Sequence, residues 1–314
     1  MLTLLLGAGF SKWAAGLPVA SELLDLQIEP FGVREETRLR WVNRLIDDWR
    51  SGHPGASAEQ FISHTLRTGG ERDRKAVLWY IVRRLSEPYI WTEWHCGRWR
   101  RHVLMIDENR KSERDGVKAA RRFLLRTLGG GAAGIVTTNY DLLVEYALGT
   151  GLFNYGCRGE RLTGRGPYPV SQWRNPVTLT GTIRLAKVHG SISWDEAGER
   201  YTDGRRGLTG NALIVAPTPD KAPPPALAGQ WELSSRILAA ASRLLVFGFA
   251  FNPYDEALLE HLRSNGARTD RVALVDISPR PDRAKQVWPH AEVQAIAPPP
   301  EGTEELSRWT EGSG

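Results

Sequence analysis

Two kinds of apolar pattern alternate along the chain. Short unbroken apolar runs mark strands buried on both faces, and longer stretches with an apolar residue every three or four positions mark helices with one face inward. Leu2–Leu6 is the first run, and it meets Gly7-Ala8-Gly9 with no spacer. Gly16 and Pro18 follow, and a helix is expected to open near Ser21. From Ser21 to about Gly130 the pattern is mainly helical. Leu39, Val42, Leu45, Ile46 and Trp49 share one face, Ser51 to Ser57 is a turn-rich break, and Ala58–Leu66 and Lys75–Leu85 are further helices. Gly116–Leu128 turns Ala119, Phe123, Leu124 and Leu128 inward and ends at Gly129-Gly130-Gly131. Trp79, Trp91, Trp94 and Trp99 crowd this region and read as packing material for a helical subdomain.

The second half is strand-rich. Ala133–Thr138 runs into Asn139-Tyr140-Asp141 and a helix at Leu142–Leu148. Gly149 to Trp173 reads as irregular, Arg184–Val188 as a strand leading into His189-Gly190-Ser191, and Ala212–Ala216 as a short strand before a proline-rich loop, Pro217 to Pro225. A helix at Trp231–Arg243, a strand at Leu244–Phe249, a helix at Asp255–Ser264 and a strand at Arg271–Ile277 follow, with Asp276 near the end of the last. The pattern predicts an α/β fold: a doubly wound, mostly parallel Rossmann-like sheet with a large helical insertion. Residues 1–298 are read as one domain, with the insertion at about 22–130 and a loose C-terminal tail at 299–314. The insertion is too long for a single crossover and is expected to pack over the ligand end of the sheet.

Composition narrows the classes. Lys plus Arg number 41 against 36 Asp plus Glu, a formal +5. The arginines are dispersed along helical segments, so direct nucleic-acid binding is not expected. Cys96 and Cys157 are the two cysteines, too few for a four-thiolate zinc site. With no basic, apolar leader and no membrane-length apolar run, a cytoplasmic protein is expected. None of the seven histidines stands in HExxH spacing, so no metal is expected.

Four strand ends carry the candidate chemistry, where open α/β sheets bind ligands. They are Gly7-Ala8-Gly9-Phe10-Ser11, Thr138-Asn139-Tyr140-Asp141, Lys187-Val188-His189-Gly190-Ser191 and Gly248-Phe249-Ala250. A buried strand feeding a glycine turn brings backbone N–H groups up to a phosphate. Gly7 can take the tight turn, and Gly9 puts no Cβ between the chain and a pyrophosphate. Lys12 stands where a Rossmann fingerprint has its third glycine.

As a set and in this order, these motifs resemble the Sir2 (sirtuin) superfamily. GAGFS stands for the family's GAG-x-S, Gly16 and Pro18 for its G-x-P, TNYD for its QN-x-D, His189-Gly190 for its HG, and GFA for its GTS-type adenine loop. Asp276 falls where the family has a residue facing the adenosine ribose. The four-cysteine zinc module of the deacylases cannot be supplied, and Val19-Ala20-Ser21 replaces their Phe-Arg pair. Ser21 to Gly131 has no match in the compact enzymes. These departures resemble the zinc-less Sir2-like NAD hydrolases of bacterial antiphage defence.

The resemblance implies NAD+ as substrate, with Asn139, His189 and Asp141 catalytic. It implies that Gly7, Ala8, Gly9, Phe10, Ser11, Thr138, Gly248, Phe249 and Asp276 bind the dinucleotide. Asn139 would position the attacking water or the ribose hydroxyls, His189 would act as general base, and Asp141 would orient the nicotinamide amide or a neighbouring donor. A homo-oligomer, or a partner ATPase or Argonaute of a defence system, is implied as company. The alternatives are an NAD-dependent protein deacylase or ADP-ribosyltransferase, and a non-catalytic nucleotide-sensing module.

Overall fold

The computed structural model describes residues 1–25, 28–106, 115–129, 131–164, 176–204, 208, 210–215 and 225–312. In chain order it begins with β1 (Leu2–Leu6) and α1 (Ala8–Ala15), then the insertion helices α2 (Val33–Gly52), α3 (Ala58–Thr68) and α4 (Glu71–Ser86). A hairpin, β2 (Ile90–His95) and β3 (Arg98–Val103), precedes α5 (Asp115–Leu128), β4 (Ala132–Thr137) and α6 (Leu143–Leu148). Next come β5 (Phe153–Asn154), β6 (Arg161–Leu162), β7 (Val177–Thr178), β8 (Ile183–Lys187), β9 (Gly190–Asp195) and β10 (Ala212–Ile214). The chain closes with α7 (Ala228–Ala239), β11 (Arg243–Phe247), α8 (Glu256–Asn265), β12 (Arg271–Val275), α9 (Pro281–Val287), β13 (Glu292–Ile296) and α10 (Thr303–Glu311).

The central sheet has seven strands in the order β13-β12-β11-β1-β4-β8-β5, and the pairings are parallel. This is the predicted doubly wound α/β fold. Strand alternation sorts its residues into two cores. Leu4, Leu6, Ile135, Leu185, Leu245 and Val275 face one layer, which holds Phe10 of α1 and Phe123 and Leu124 of α5. Leu5, Val136, Ala186, Val246 and Leu274 face the other, against Ile237 of α7 and Leu258 of α8. Both faces are therefore covered, which is why β1 is buried along its whole length. The sheet winds outward from β1 through β4 on one side and through β11 on the other. Its switch point lies between β1 and β11, where such sheets open a crevice.

Several expectations change. A helix does not wait for Ser21: α1 starts directly at Ala8. Gly16, at φ 66°, ends it in the left-handed conformation that favours glycine. The segment at Ser21 is a short 3-10 turn, Ala20–Glu22. The tryptophan-rich stretch is not all helical packing. Trp79 is buried in α4, but Trp94 and Trp99 are 57% and 59% exposed and meet edge-on across the β2–β3 hairpin. Cys96 and Gly97, both at positive φ, make its turn. The strand at 212 does not join the central sheet; β10 pairs antiparallel with β9. Most of the expected loop at Pro217 to Pro225 lies outside the described residues.

The tail beyond Pro298 is not loose. It forms α10, whose Leu306 and Trp309 are buried, and Trp13 Nε1 donates to Pro299 O at 2.7 Å. Among the described residues no helix is long and apolar enough to cross a membrane.

Candidate active site

The switch point holds a cavity of about 730 Å³. Its floor is built by a contact between two glycine segments. Gly7 N donates to Phe247 O and Gly9 N to Gly248 O, each at 2.9 Å. A Cβ on Gly9 would stand 2.6 Å from Gly248 Cα, and one on Gly7 would stand 2.4 Å from Gly248 O. Gly248 itself sits at φ 63°, and its Cβ would stand 2.3 Å from Phe10 N. These glycines let the end of β1 touch the end of β11. The absent Cβ atoms of Gly7 and Gly9 thus make room for protein backbone, and their two N–H groups are already engaged. A phosphate at this turn is left to the N-terminal dipole of α1, the Ala8 amide and the Ser11 hydroxyl.

Because the obstruction is backbone, Gly9→Ala has no side chain to push aside. It should lower the urea unfolding midpoint by the equivalent of about 1–3 kcal/mol. Gly229→Ala in α7, where a Cβ meets nothing within 4 Å, serves as the control. Equal midpoints for Gly9→Ala and wild type would rule out the tight contact.

Gly7, Ala8, Gly9, Ser11, Thr138, Asn139, Asp141, His189, Gly248, Phe249 and Asp276 all line this one cavity. Phe10 does not. It is fully buried on the other side of α1, with its ring 5.4 Å from Phe247 and 5.7 Å from Phe123, so its expected place in the binding set is corrected to a core residue.

The loop after β4 is fixed from below. Asn139 Nδ2 donates to Gly7 O at 2.9 Å and to Ser11 Oγ at 3.0 Å, so the amide ties this loop to the glycine turn. Thr137 Oγ1 donates to Leu6 O and accepts from Asn139 N, a second tie between the same strand ends. Asp141 Oδ1 accepts from Leu143 N at 2.9 Å, which satisfies an amide at the start of α6. Beneath it, Lys187 Nζ donates to Asp141 O and pairs with Glu145 Oε1 at 2.8 Å, both side chains out of water.

His189 follows β8 and is 5% exposed. Its carbonyl accepts from Val215 N at 2.9 Å, and the Val188 carbonyl before it accepts from Trp231 Nε1 at 2.8 Å. Asp255 Oδ2 stands 3.2 Å from His189 Nε2. Tyr140 lies behind them, with its hydroxyl donating to Val215 O at 2.6 Å. Burial, and after it the charges of Asp255 and Glu59, push this phenol well above its ordinary range. It therefore acts as a fixed neutral donor.

Residues outside the predicted set complete the walls. Glu59, Ile62, Ile81 and Leu85 come from α3 and α4, so the insertion does pack over the ligand end of the sheet. Lys12, the residue in place of the third glycine, pairs with Glu22 at 2.9 Å. That hydrogen bond, followed by one from Val19 N, holds the Glu22 carboxyl below its ordinary value. Asp255 was the largest omission. Its signal was the Asn252-Pro253-Tyr254-Asp255 turn directly after the strand end at Gly248.

The fold and this crevice together define a class: a doubly wound α/β protein with a glycine-floored crevice at its switch point. No family model matches the chain, and no curated protein does. Solved structures do match. The chain is similar to a structure solved for the mechanism and regulation of Sir2 enzymes, at 13% identity and a TM-score of 0.45, over 99% of this chain and 90% of that one. It is similar to Sir2Tm bound to a propionylated peptide at 15% identity and a TM-score of 0.41, over 100% and 93% of the two chains. A third is Sir2 in complex with the inhibitor EX-527, 2'-O-acetyl-ADP-ribose and deacetylated p53 peptide, at 13% identity and a TM-score of 0.41, over 100% and 94%. Likeness at this level assigns neither fold nor chemistry, which rest on the chain's own residues.

Proposed function

We propose that the crevice takes NAD+ and that the chain is a Sir2-like NAD+ hydrolase, cleaving the nicotinamide–ribose bond to give nicotinamide and ADP-ribose. The observation that carries this reading is the convergence of Asn139 and His189 on the same cavity as the glycine turn. The volume is within the range of small-molecule and cofactor sites. The cavity also runs from His189 past the turn to Asp276, which leaves a carboxylate at the far end for ribose hydroxyls.

The reaction asks little acid chemistry of the protein. The nicotinamide ring of NAD+ is cationic and leaves neutral, so the leaving group needs no proton. Water oxygen bonds to the ribose C1′, the C1′–N bond breaks with its electron pair going to nicotinamide, and a water proton passes to His189. The ribose carries positive charge in the transition state. Asp141, Asp255 and Glu59 line the same crevice and set a negative field there. Asn139, tied to the glycine turn, holds the reacting end in register with the pyrophosphate end.

The two cysteines are exposed, one in the hairpin turn and one in the loop after β5, and cannot build the zinc module of an acyl-lysine deacylase. The proposal extends to NAD depletion in antiphage defence, with assembly of several copies or a partner protein as the trigger. Purified protein incubated with NAD+ alone should release nicotinamide and ADP-ribose in equal amounts, with specific activity rising with protein concentration. Turnover that begins only when an acyl-lysine peptide is added would replace this reading with the deacylase one.

A further inference from the structure

We infer that Asp255 is a positioning residue for His189: its carboxylate keeps a proton on Nε2 and leaves Nδ1 as the nitrogen that takes the proton from water. The inference rests on the hydrolase reading for its kinetic arm alone. Both side chains line the crevice and both are more than nine-tenths buried, at 6% and 8% exposure. Nε2 has no water-exposed surface, and Asp255 Oδ2, at 3.2 Å, is its near acceptor. The approach lies off the line of a full hydrogen bond. Contacts of this kind tighten when substrate is bound. A buried imidazole N–H beside a carboxylate sets the tautomer, and the nitrogen left without a proton becomes the base.

The chain is shaped to deliver this carboxylate. Past Gly248 it turns through Asn252, whose Oδ1 accepts from Tyr254 N at 3.0 Å and whose Nδ2 donates to Glu59 Oε1 at 3.1 Å. Asp255 N then donates to Asn252 O at 2.9 Å, and α8 begins at the next residue. The turn is thus pinned to the insertion on one side and to α8 on the other. His189 is held just as firmly through its own carbonyl and that of Val188. When the imidazole takes a proton from water it becomes a cation, and Asp255 is the carboxylate beside it.

Two measurements on the 314-residue chain decide the matter. In 15N-labelled protein, with His189 assigned by difference from His189→Gln, the imidazole should be the Nε2–H tautomer, and Asp255→Ala should abolish that preference. In NAD+ turnover, Asp255→Ala should lower kcat by about 10–100-fold with KM changed by less than about twofold. Asp255→Glu should recover part of the loss. His189→Ala and His189→Ala/Asp255→Ala should share one residual rate, because a residue that acts through His189 has nothing left to act on. An Nδ1–H tautomer in wild type, a tautomer indifferent to Asp255→Ala, or an equal further loss in the His189→Ala background overturns the inference. Wild-type protein that turns over no NAD+ overturns the hydrolase reading instead, and the tautomer then decides the Asp255 role alone.

Discussion

His189→Ala should release nicotinamide from NAD+ about 10²–10⁴-fold more slowly than wild type, which is the usual contribution of a general base. The residue is 5% exposed and lines the crevice beside Asp255. Removing the ring leaves a hole beside the Asp255 carboxylate, so His189→Gln belongs in the same experiment as a variant that keeps bulk and a hydrogen-bonding group. Both proteins should unfold cooperatively and still bind NAD+, because the floor of the site is made by Gly7, Gly9 and Gly248 rather than by His189. Loss of kcat with KM retained is the signature of a group engaged only in the transition state. Nicotinamide release at the wild-type rate from either folded variant would remove His189 from the chemistry.

The parts of this site legible in the sequence are those where chemistry and local pattern coincide. Four apolar runs ending in polar or glycine clusters come together around one cavity, because the carboxyl ends of neighbouring parallel strands lie side by side. The role of the glycines was not legible. A glycine turn after a strand suggests close approach to a phosphate, but what a Cβ on Gly9 would meet, at 2.6 Å, is the backbone of Gly248, some 240 positions away in the chain. Phe10 was misplaced for a related reason: within a motif it looked like a site residue, whereas a helix starting at Ala8 turns it toward Phe247 and Phe123. Edge elements also escaped. β13 is half exposed and short, and β5 is two residues long, so neither carries a strong apolar run. The hairpin was hidden because its tryptophans suggest burial, and only the Cys96-Gly97 turn between two alternating stretches announces it.

Lys187→Met should lower stability by about 3–5 kcal/mol, measured as a fall in the urea midpoint, because it strands Glu145 in a dry interior. Lys187 is 1% exposed and Glu145 fully buried, with 2.8 Å between Nζ and Oε1. Tyr155 donates to the same oxygen at 2.9 Å, and Glu145 Oε2 has no hydrogen-bond partner among the described residues. The penalty comes from the charge left behind rather than from the bond lost, so Lys187→Met/Glu145→Gln should recover most of the stability while keeping an acceptor for Tyr155. A single variant as stable as wild type would mean that the pair is not enclosed. The double variant also separates two roles of the lysine. Lys187 holds the carbonyl of Asp141, two residues beyond Asn139, and stands two residues before His189. Stability restored without activity would show that the buried cation keeps the ends of β4 and β8 at the spacing the reaction needs. Activity restored together with stability would make it a structural pair alone.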